Sequence, residues 1–299
     1  MSLDLPPGLA SRPANAADIP GIVELIAACE LDADGVDEVD EGDISFERHG
    51  FGPALDTMLV FDRDELVAWA ELYRGRGEAD VRPSHRARGI GSTLLGWIED
   101  RARALGEAEV RQTKTDANAG ARELFLANGY KQRWVSWMIR ITLDQAPAPA
   151  EPPAAISIRP YREADARDVH RVIDAAFCEW PGRDPEPYEV WASMITAHPN
   201  FRPELSPLAL DGDELVGAVI AYDYPDVGES WISQLATKAT HRRRGIAQAL
   251  LLTAFGWFRE RGRATAGVET DSRTGALGLY EKAGMRVVRQ YTRYDRRLG

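Results

Sequence analysis

Along the chain, the spacing of apolar positions changes in a fixed order, and that order occurs twice. Residues 59–61 and 66–73 are apolar runs separated by Asp62-Arg63-Asp64; residues 208–210 and 215–222 are separated by Asp211-Gly212-Asp213. Each pair predicts a β-hairpin, because strand-forming residues flank a short polar turn. A further strand is expected at 78–81 and at 231–237. After it, apolar residues fall at i, i+1, i+4 and i+8, which is one face of a helix (Leu94, Leu95, Ile98 and then Leu250, Leu251, Ala254). Another strand follows (109–113 and 266–270), then a second helix and a final strand (135–143 and 287–294). Strands that alternate with helices after an opening hairpin predict an α/β fold, each half a mixed, mostly antiparallel sheet flanked by helices.

The two halves match residue by residue. Arg12-Pro13 recurs as Arg159-Pro160. His85-Arg86-Ala87-Arg88-Gly89-Ile90-Gly91 recurs as His241-Arg242-Arg243-Arg244-Gly245-Ile246-Ala247 at an offset of 156 residues. Gly106 becomes Gly262 at the same offset; Phe125 and Gly129 become Tyr280 and Gly284 at 155. A spacing so constant across helices and turns predicts one fold used twice. Residues 144–155 hold four prolines among small residues, a stiff segment with little to pack. The expected division is a first domain at 1–143, a linker at 144–155 and a second domain at 156–299.

Composition narrows the function. A net charge of −11 argues against nucleic acid, since phosphate contacts require a basic surface. Residues 1–143 carry 25 acids and 16 bases, and residues 156–299 carry 20 of each. Nine carboxylates lie between Glu30 and Glu47 without a base among them. Two readings stand: a solvated acidic loop, or a field that draws in a cationic amine. No run approaches the ~20 apolar residues that span a bilayer, and Met1–Pro13 lacks an apolar signal region, so a cytoplasmic protein is expected. Cys29 and Cys178 fall one in each half and form neither a disulfide framework nor a metal-ligand cluster.

The strongest chemical signal is the turn Arg-x-x-Gly-x-(Gly/Ala), present as Arg86-Ala87-Arg88-Gly89-Ile90-Gly91 and as Arg242-Arg243-Arg244-Gly245-Ile246-Ala247. The first turn of a helix has unpaired N–H groups and the positive end of the dipole, so it favours an anion. Glycine lets backbone approach a pyrophosphate, and arginine suits phosphate oxygens. A dinucleotide fingerprint would need a third glycine where Leu94 stands, and a P-loop would need Gly-Lys-Ser/Thr, which is absent.

Both halves resemble the GNAT acetyltransferase superfamily. The resemblance rests on this turn and on a second motif, Asn-x-x-Ala-x-x-Leu-Tyr-x-x-x-Gly. The first half has Asn118, Ala121, Leu124, Phe125 and Gly129; the second has Arg273, Ala276, Leu279, Tyr280 and Gly284. The paired arrangement is similar to mycothiol synthase and its tandem relatives. In those proteins, the resemblance implies, the C-terminal copy catalyses and the N-terminal copy only binds cofactor.

What the resemblance implies for this chain is an N-acetyltransferase that moves an acetyl group from acetyl-CoA, as cosubstrate and with no metal, to a primary amine of a small molecule. The strand before the turn would bind the pantetheine arm through Leu235, Ala236 and Thr237, or Ala79, Asp80 and Val81. Residues Arg242, Arg243, Arg244, Gly245, Ile246, Ala247 and Gln248 would hold the pyrophosphate, as would Arg86, Ala87, Arg88, Gly89, Ile90, Gly91 and Ser92. Arg273 and Asn118 would add cofactor contacts. The N–H of Leu235 would meet the developing oxyanion, and Tyr280 would protonate the leaving thiolate. Phe125 has no proton to give, so the second half is expected to be the active one. Glu229 and Glu269 are the candidate bases. Mycothiol synthases would carry a glutamate where Trp231 stands. Glu179, Trp180, Tyr222 and Asp223 are expected near the amine. Three other readings remain open: a protein acetyltransferase, mycothiol synthase itself, and a non-catalytic acyl-CoA sensor or scaffold.

Overall fold

Both predicted hairpins form, and each is preceded by a short strand that the apolar pattern did not announce. A computed structural model describes residues 3–36, 56–148, 151–180 and 183–299. The acidic run beyond Asp34 therefore lies outside the described residues. The chain divides into two compact units, Met1–Val135 with Gln290–Gly299, and Ser136–Arg289.

In the first unit, β1 (Leu9–Arg12) precedes α1 (Ile19–Asp34). Then come β2 (Thr57–Asp62), β3 (Glu65–Tyr73), β4 (Arg76–Val81), α2 (Ile90–Ala104), β5 (Glu109–Thr115) and α3 (Ala119–Ala127). Strands β1 to β4 run antiparallel in order, and β5 lies parallel beside β4. The second unit repeats this with β7 (Ile156–Pro160), α4 (Ala166–Phe177), β8 (Pro207–Asp211), β9 (Glu214–Tyr224), β10 (Glu229–Thr237), α5 (Ile246–Glu260), β11 (Thr265–Asp271) and α6 (Leu277–Lys282). Strands β7 to β10 are again antiparallel, and β11 is parallel to β10.

The central strands are buried on both faces, which explains their continuous apolar runs. Along β3, Ala68, Ala70 and Leu72 pack with α2, while Trp69 packs with Ile22, Leu25 and Ile26 of α1. Along β9, Val216, Val219 and Ala221 join Leu250 and Phe255 of α5, and Ala218, Ile220 and Tyr222 join Val169 and Ile173 of α4. The Arg-Pro pairs of the repeat have a structural role. Arg12 holds Asp18 through two hydrogen bonds of 2.7 and 2.6 Å, and Arg159 holds Asp165 at 2.7 and 2.8 Å. Each pair ties a first strand to the entry of its helix.

The last strands do not stay with their own repeats. Ser136–Thr142 of β6 (Lys131–Thr142) pair with β11 in the second unit, and Tyr291–Arg297 of β12 (Arg286–Arg297) pair with β5 in the first. The compact units thus divide the chain at points other than the 144–155 linker. Packing accounts for the pairing. Ile139, Ile141 and Leu143 fill the core of the second unit. In the first, the Tyr294 ring packs on Phe125 at a centroid distance of 5.3 Å. Strand partners are chosen by such side-chain contacts more than by backbone preference.

Candidate active site

In the second unit, β10 and β11 begin as neighbours and then diverge. Their parallel pairing runs from Glu229↔Thr265 to Ile232↔Val268 and stops there, while β10 continues to Thr237 against β9. A bulge between Ile232 and Gln234 shifts the register at the point of divergence. The Lys238 N–H donates to the carbonyl of Val216 on β9 at 2.8 Å. Alternation along an antiparallel ladder then turns the N–H groups of Leu235 and Thr237 to the opposite, open edge. The result is a wedge with backbone donors on one wall. Ala236 faces α4, and its neighbour Gln234 accepts a hydrogen bond from the indole of Trp191 at 2.9 Å.

At the wide end of the wedge lies the arginine-glycine turn. Arg243 (φ 60°) and Gly245 (φ 83°) are both left-handed, and the first helical hydrogen bond of α5 is Ala249 N–H to Gly245 O at 2.9 Å. The N–H groups of Ile246, Ala247 and Gln248 precede that bond and have no acceptor within the helix. A side chain at 245 would be strained by its φ, and the space beside it is open apart from Pro153 at 3.8 Å.

The three arginines have different tasks. Arg242 donates to Thr237 O at 3.2 Å and to both carboxylate oxygens of Glu179 at 2.6 and 2.8 Å. It therefore fixes the turn against the strand, with Glu179 bracing the turn. Arg242 depresses the Glu179 carboxyl below its usual range. Arg244 and His241 both lie near Asp211, at 3.6 and 3.4 Å. Arg243 is exposed and lies three residues before Ile246, the first residue of the helix. Among the described residues, no cluster of three or more His, Cys, Asp or Glu side chains could hold a metal ion. No helix there is long and apolar enough to cross a membrane.

Tyr280 sits on α6 at 5 % exposure, within the core that includes Leu250, Val268 and Ile139. Burial raises its phenol to about 12, so it keeps its proton at neutral pH. The two candidate bases are in different places. Glu229 receives Arg140 at 2.8 and 3.2 Å, and it lies six residues before Leu235, roughly 20 Å along an extended strand. Glu269 is exposed and is the first residue of β11 past the last paired position. Trp231 lies over Gly267, where an added Cβ would come within 2.3 Å of the indole ring.

The remaining expected residues are also separated. Asp223 is 2 % exposed and accepts from Arg263 at 2.6 and 2.8 Å and from Ser230 at 3.0 Å. Its carboxyl is held below the usual range, chiefly by Arg263. A carboxylate so enclosed is a structural ion pair, and the sequence contained no sign of the Arg263 partner 40 residues away. Tyr222 is likewise buried, stacked on His198 at 4.3 Å and donating to Ile195 O at 3.3 Å. Trp180, by contrast, stacks on Phe177 and lines an open groove of about 490 Å³ with Arg183, Glu186, Val190 and Arg273. Arg273 is braced by Asp271 at 3.1 and 2.6 Å.

The first unit repeats the turn closely. Ala87 (φ 59°) and Gly89 (φ 86°) are left-handed, and Thr93 N–H to Gly89 O opens α2 at 3.1 Å. The amides of Ile90, Gly91 and Ser92 therefore lack helical acceptors. Arg86 donates to Val81 O and to Asp32, and Arg88 meets Asp62, copying the Arg242 and Arg244 pairings. By the same alternation, Ala79 and Val81 face the open edge of β4, since the Arg82 N–H donates to Val67 O on β3. Asn118 caps α3, accepting from the Ala121 N–H at 3.0 Å. Asp80 differs: it pairs with Lys114 on β5 at 2.5 Å.

The chain has recognisable relatives along its whole length. A mycothiol acetyltransferase from Thermobispora bispora is 25 % identical over 276 residues, spanning 87 % of this chain and 90 % of that protein. The crystal structure of a GCN5-related N-acetyltransferase from Sphaerobacter thermophilus is 30 % identical and superposes with a TM-score of 0.84, covering 99 % of this chain and 98 % of that one. A tandem GNAT protein from the clavulanic acid biosynthesis pathway shares the fold at 16 % identity, with a TM-score of 0.77 over 97 % and 99 % of the two chains. The acetyltransferase (GNAT) family model matches residues 20–130 and again residues 169–285. With the fold, the turns and these matches in agreement, the chain belongs to the GNAT family of acetyltransferases, as a tandem of two such domains.

Proposed function

We propose that the second unit transfers an acetyl group from acetyl-CoA to the primary amine of a small molecule. What supports this reading is a wedge with backbone donors at Leu235 and Thr237 and an anion-ready turn at Gly245, together with a protonated phenol at Tyr280 in the core against which Leu235 packs. The free amine attacks the thioester carbonyl and forms the C–N bond, the Leu235 N–H steadies the tetrahedral oxyanion, and the C–S bond breaks as that intermediate collapses. Tyr280 gives its proton to the departing thiolate, and Glu269, at the narrow end of the wedge, takes the proton that the amine must lose. Arg243 and the amides of Ile246, Ala247 and Gln248 hold the pyrophosphate, with Arg242 and Glu179 positioning them. Trp180 and Arg273 border the acceptor's approach.

Glu229 and Asp223 are left out of this mechanism, because Arg140 and Arg263 already occupy their oxygens. Relatives named mycothiol acetyltransferase make the acceptor of those enzymes the first amine to try. The test is thiol release from acetyl-CoA across a panel of primary amines, with the acetylated amine identified by mass. Amine-dependent release with product is the expected result. Release that no amine stimulates would reject the transfer reading.

A further inference from the structure

The two wedges differ at one facing pair of residues. In the second unit the positions are Ala236 and Thr270; at the same offset of 156 the first unit has Asp80 and Lys114. Ala236 has no polar group, and Thr270 hydrogen-bonds within its own loop to Thr274 at 2.9 Å. Neither reaches across. In the first unit β4 and β5 pair only at Arg76↔Arg111, so they have already diverged where Asp80 and Lys114 stand. The Lys114 side chain crosses that gap and meets Asp80 at 2.5 Å, and the Trp69 indole donates to the other Asp80 oxygen at 3.4 Å. Both members of the pair are largely buried, at 17 % and 14 % exposure.

A second tie lies beside it. Helix α1 has 16 residues where α4 has 12, which is about one extra turn, ~6 Å. That turn carries Asp34 to β5, where the Thr115 hydroxyl donates to Asp34 at 2.9 Å. From the same helix the Cys29 thiol donates to Val81 O at 3.3 Å, on the open edge of β4. The helix thus holds both walls of the wedge. Burial alone would lower the Lys114 ammonium, but the adjoining Asp80 charge and hydrogen bond prevail and raise it. The cation is therefore kept, and an uncharged arm entering the wedge would have to separate a buried ion pair.

We propose that this ion pair and the α1 ties close the wedge of the first unit to the pantetheine arm, so that the chain binds one acyl-CoA, in the second unit. The first unit keeps its arginine-glycine turn because Arg86 and Arg88 anchor the strand, the helix and the hairpin to one another. This inference rests on the acetyl-CoA reading above.

Calorimetric titration of the full chain with acetyl-CoA tests both and separates them. One site per chain is expected in the wild type and none in Gly245→Glu. Asp80→Ala with Lys114→Thr, which copies the second unit, is expected to add a second site. Two wild-type sites, one of which survives Gly245→Glu, would overturn the closure while leaving the acetyl-CoA reading intact. A folded double variant that still binds only once would overturn the role given to the ion pair. No binding by the wild type would overturn the acetyl-CoA reading and this inference with it.

Discussion

The two units carry the same turn in the same backbone conformation, yet the space that each turn opens onto is different. Ala87 and Gly89 match Arg243 and Gly245 in φ to within a few degrees, and Asp32–Arg86 matches Glu179–Arg242. Beyond the turn, the second unit offers Ala236, Thr270 and the phenol of Tyr280. The first offers Asp80 paired with Lys114, and Phe125 packed between Tyr130 and Tyr294 at 5.5 and 5.3 Å. The turn is a structural joint in both units. Its arginines fasten strand, helix and hairpin whether or not a ligand follows, so the turn alone does not identify a working site.

Tyr280→Phe makes the second unit resemble the first and should lower kcat by about 100-fold, the usual scale for loss of a general acid. The KM for acetyl-CoA should change little. Because burial raises the Tyr280 phenol to about 12, its loss should also show in stability at high pH. The folded chain holds that proton above pH 10, where the unfolded chain releases it. This contribution is complete below pH 10 and disappears as pH rises towards 12, so wild type should lose more stability over that window than Tyr280→Phe.

Asp223→Asn separates structure from substrate binding. It leaves Arg263 buried without its carboxylate and should cost about 3 kcal/mol in denaturant unfolding. At temperatures where the variant is folded, the amine KM should match wild type. The first unit has Glu107 at the place of Arg263, so this ion pair belongs to the second unit alone. An increase in amine KM of tenfold or more would return Asp223 to the acceptor site.

Phe125→Tyr restores the missing hydroxyl to the first unit. With Asp80–Lys114 still in place it should leave the total rate within about twofold of wild type, since a proton donor is of no use where no thioester enters. A clear gain in turnover would show that the first wedge is open.

Much of this was legible in the sequence, for identifiable reasons. Hairpins, helices and turns depend on local period and on glycine chemistry, so the matched runs around residues 59–73 and 208–222 appeared where expected. The contrast between Tyr280 and Phe125 was also readable, because a motif fixes the position and only the side chain changes. What was hidden depends on partners distant in the chain. Arg263 chooses Asp223 through the packing of α5 on the sheet, and β6 chooses β11 because Ile139 and Ile141 fit that core. Glu179 was expected at the amine because it follows α4 among aromatics; its pairing with Arg242, 63 residues away, had no sign in the sequence. The Asp80–Lys114 pair had a faint signal: two charges in strands whose repeats carry Ala236 and Thr270. Reading it needed the knowledge that β4 and β5 are parallel neighbours.

If the chemistry belongs to the wedge of the second unit, damage to its turn must stop acetyl transfer. Acetyl transfer to an accepted amine should be measured for wild type and for Gly245→Glu, with circular dichroism confirming that both are folded. The account predicts that the variant loses at least about 100-fold in rate, because a carboxylate placed at a left-handed position meets the pyrophosphate with strain and repulsion together. A folded Gly245→Glu that transfers acetyl groups at the wild-type rate would contradict it.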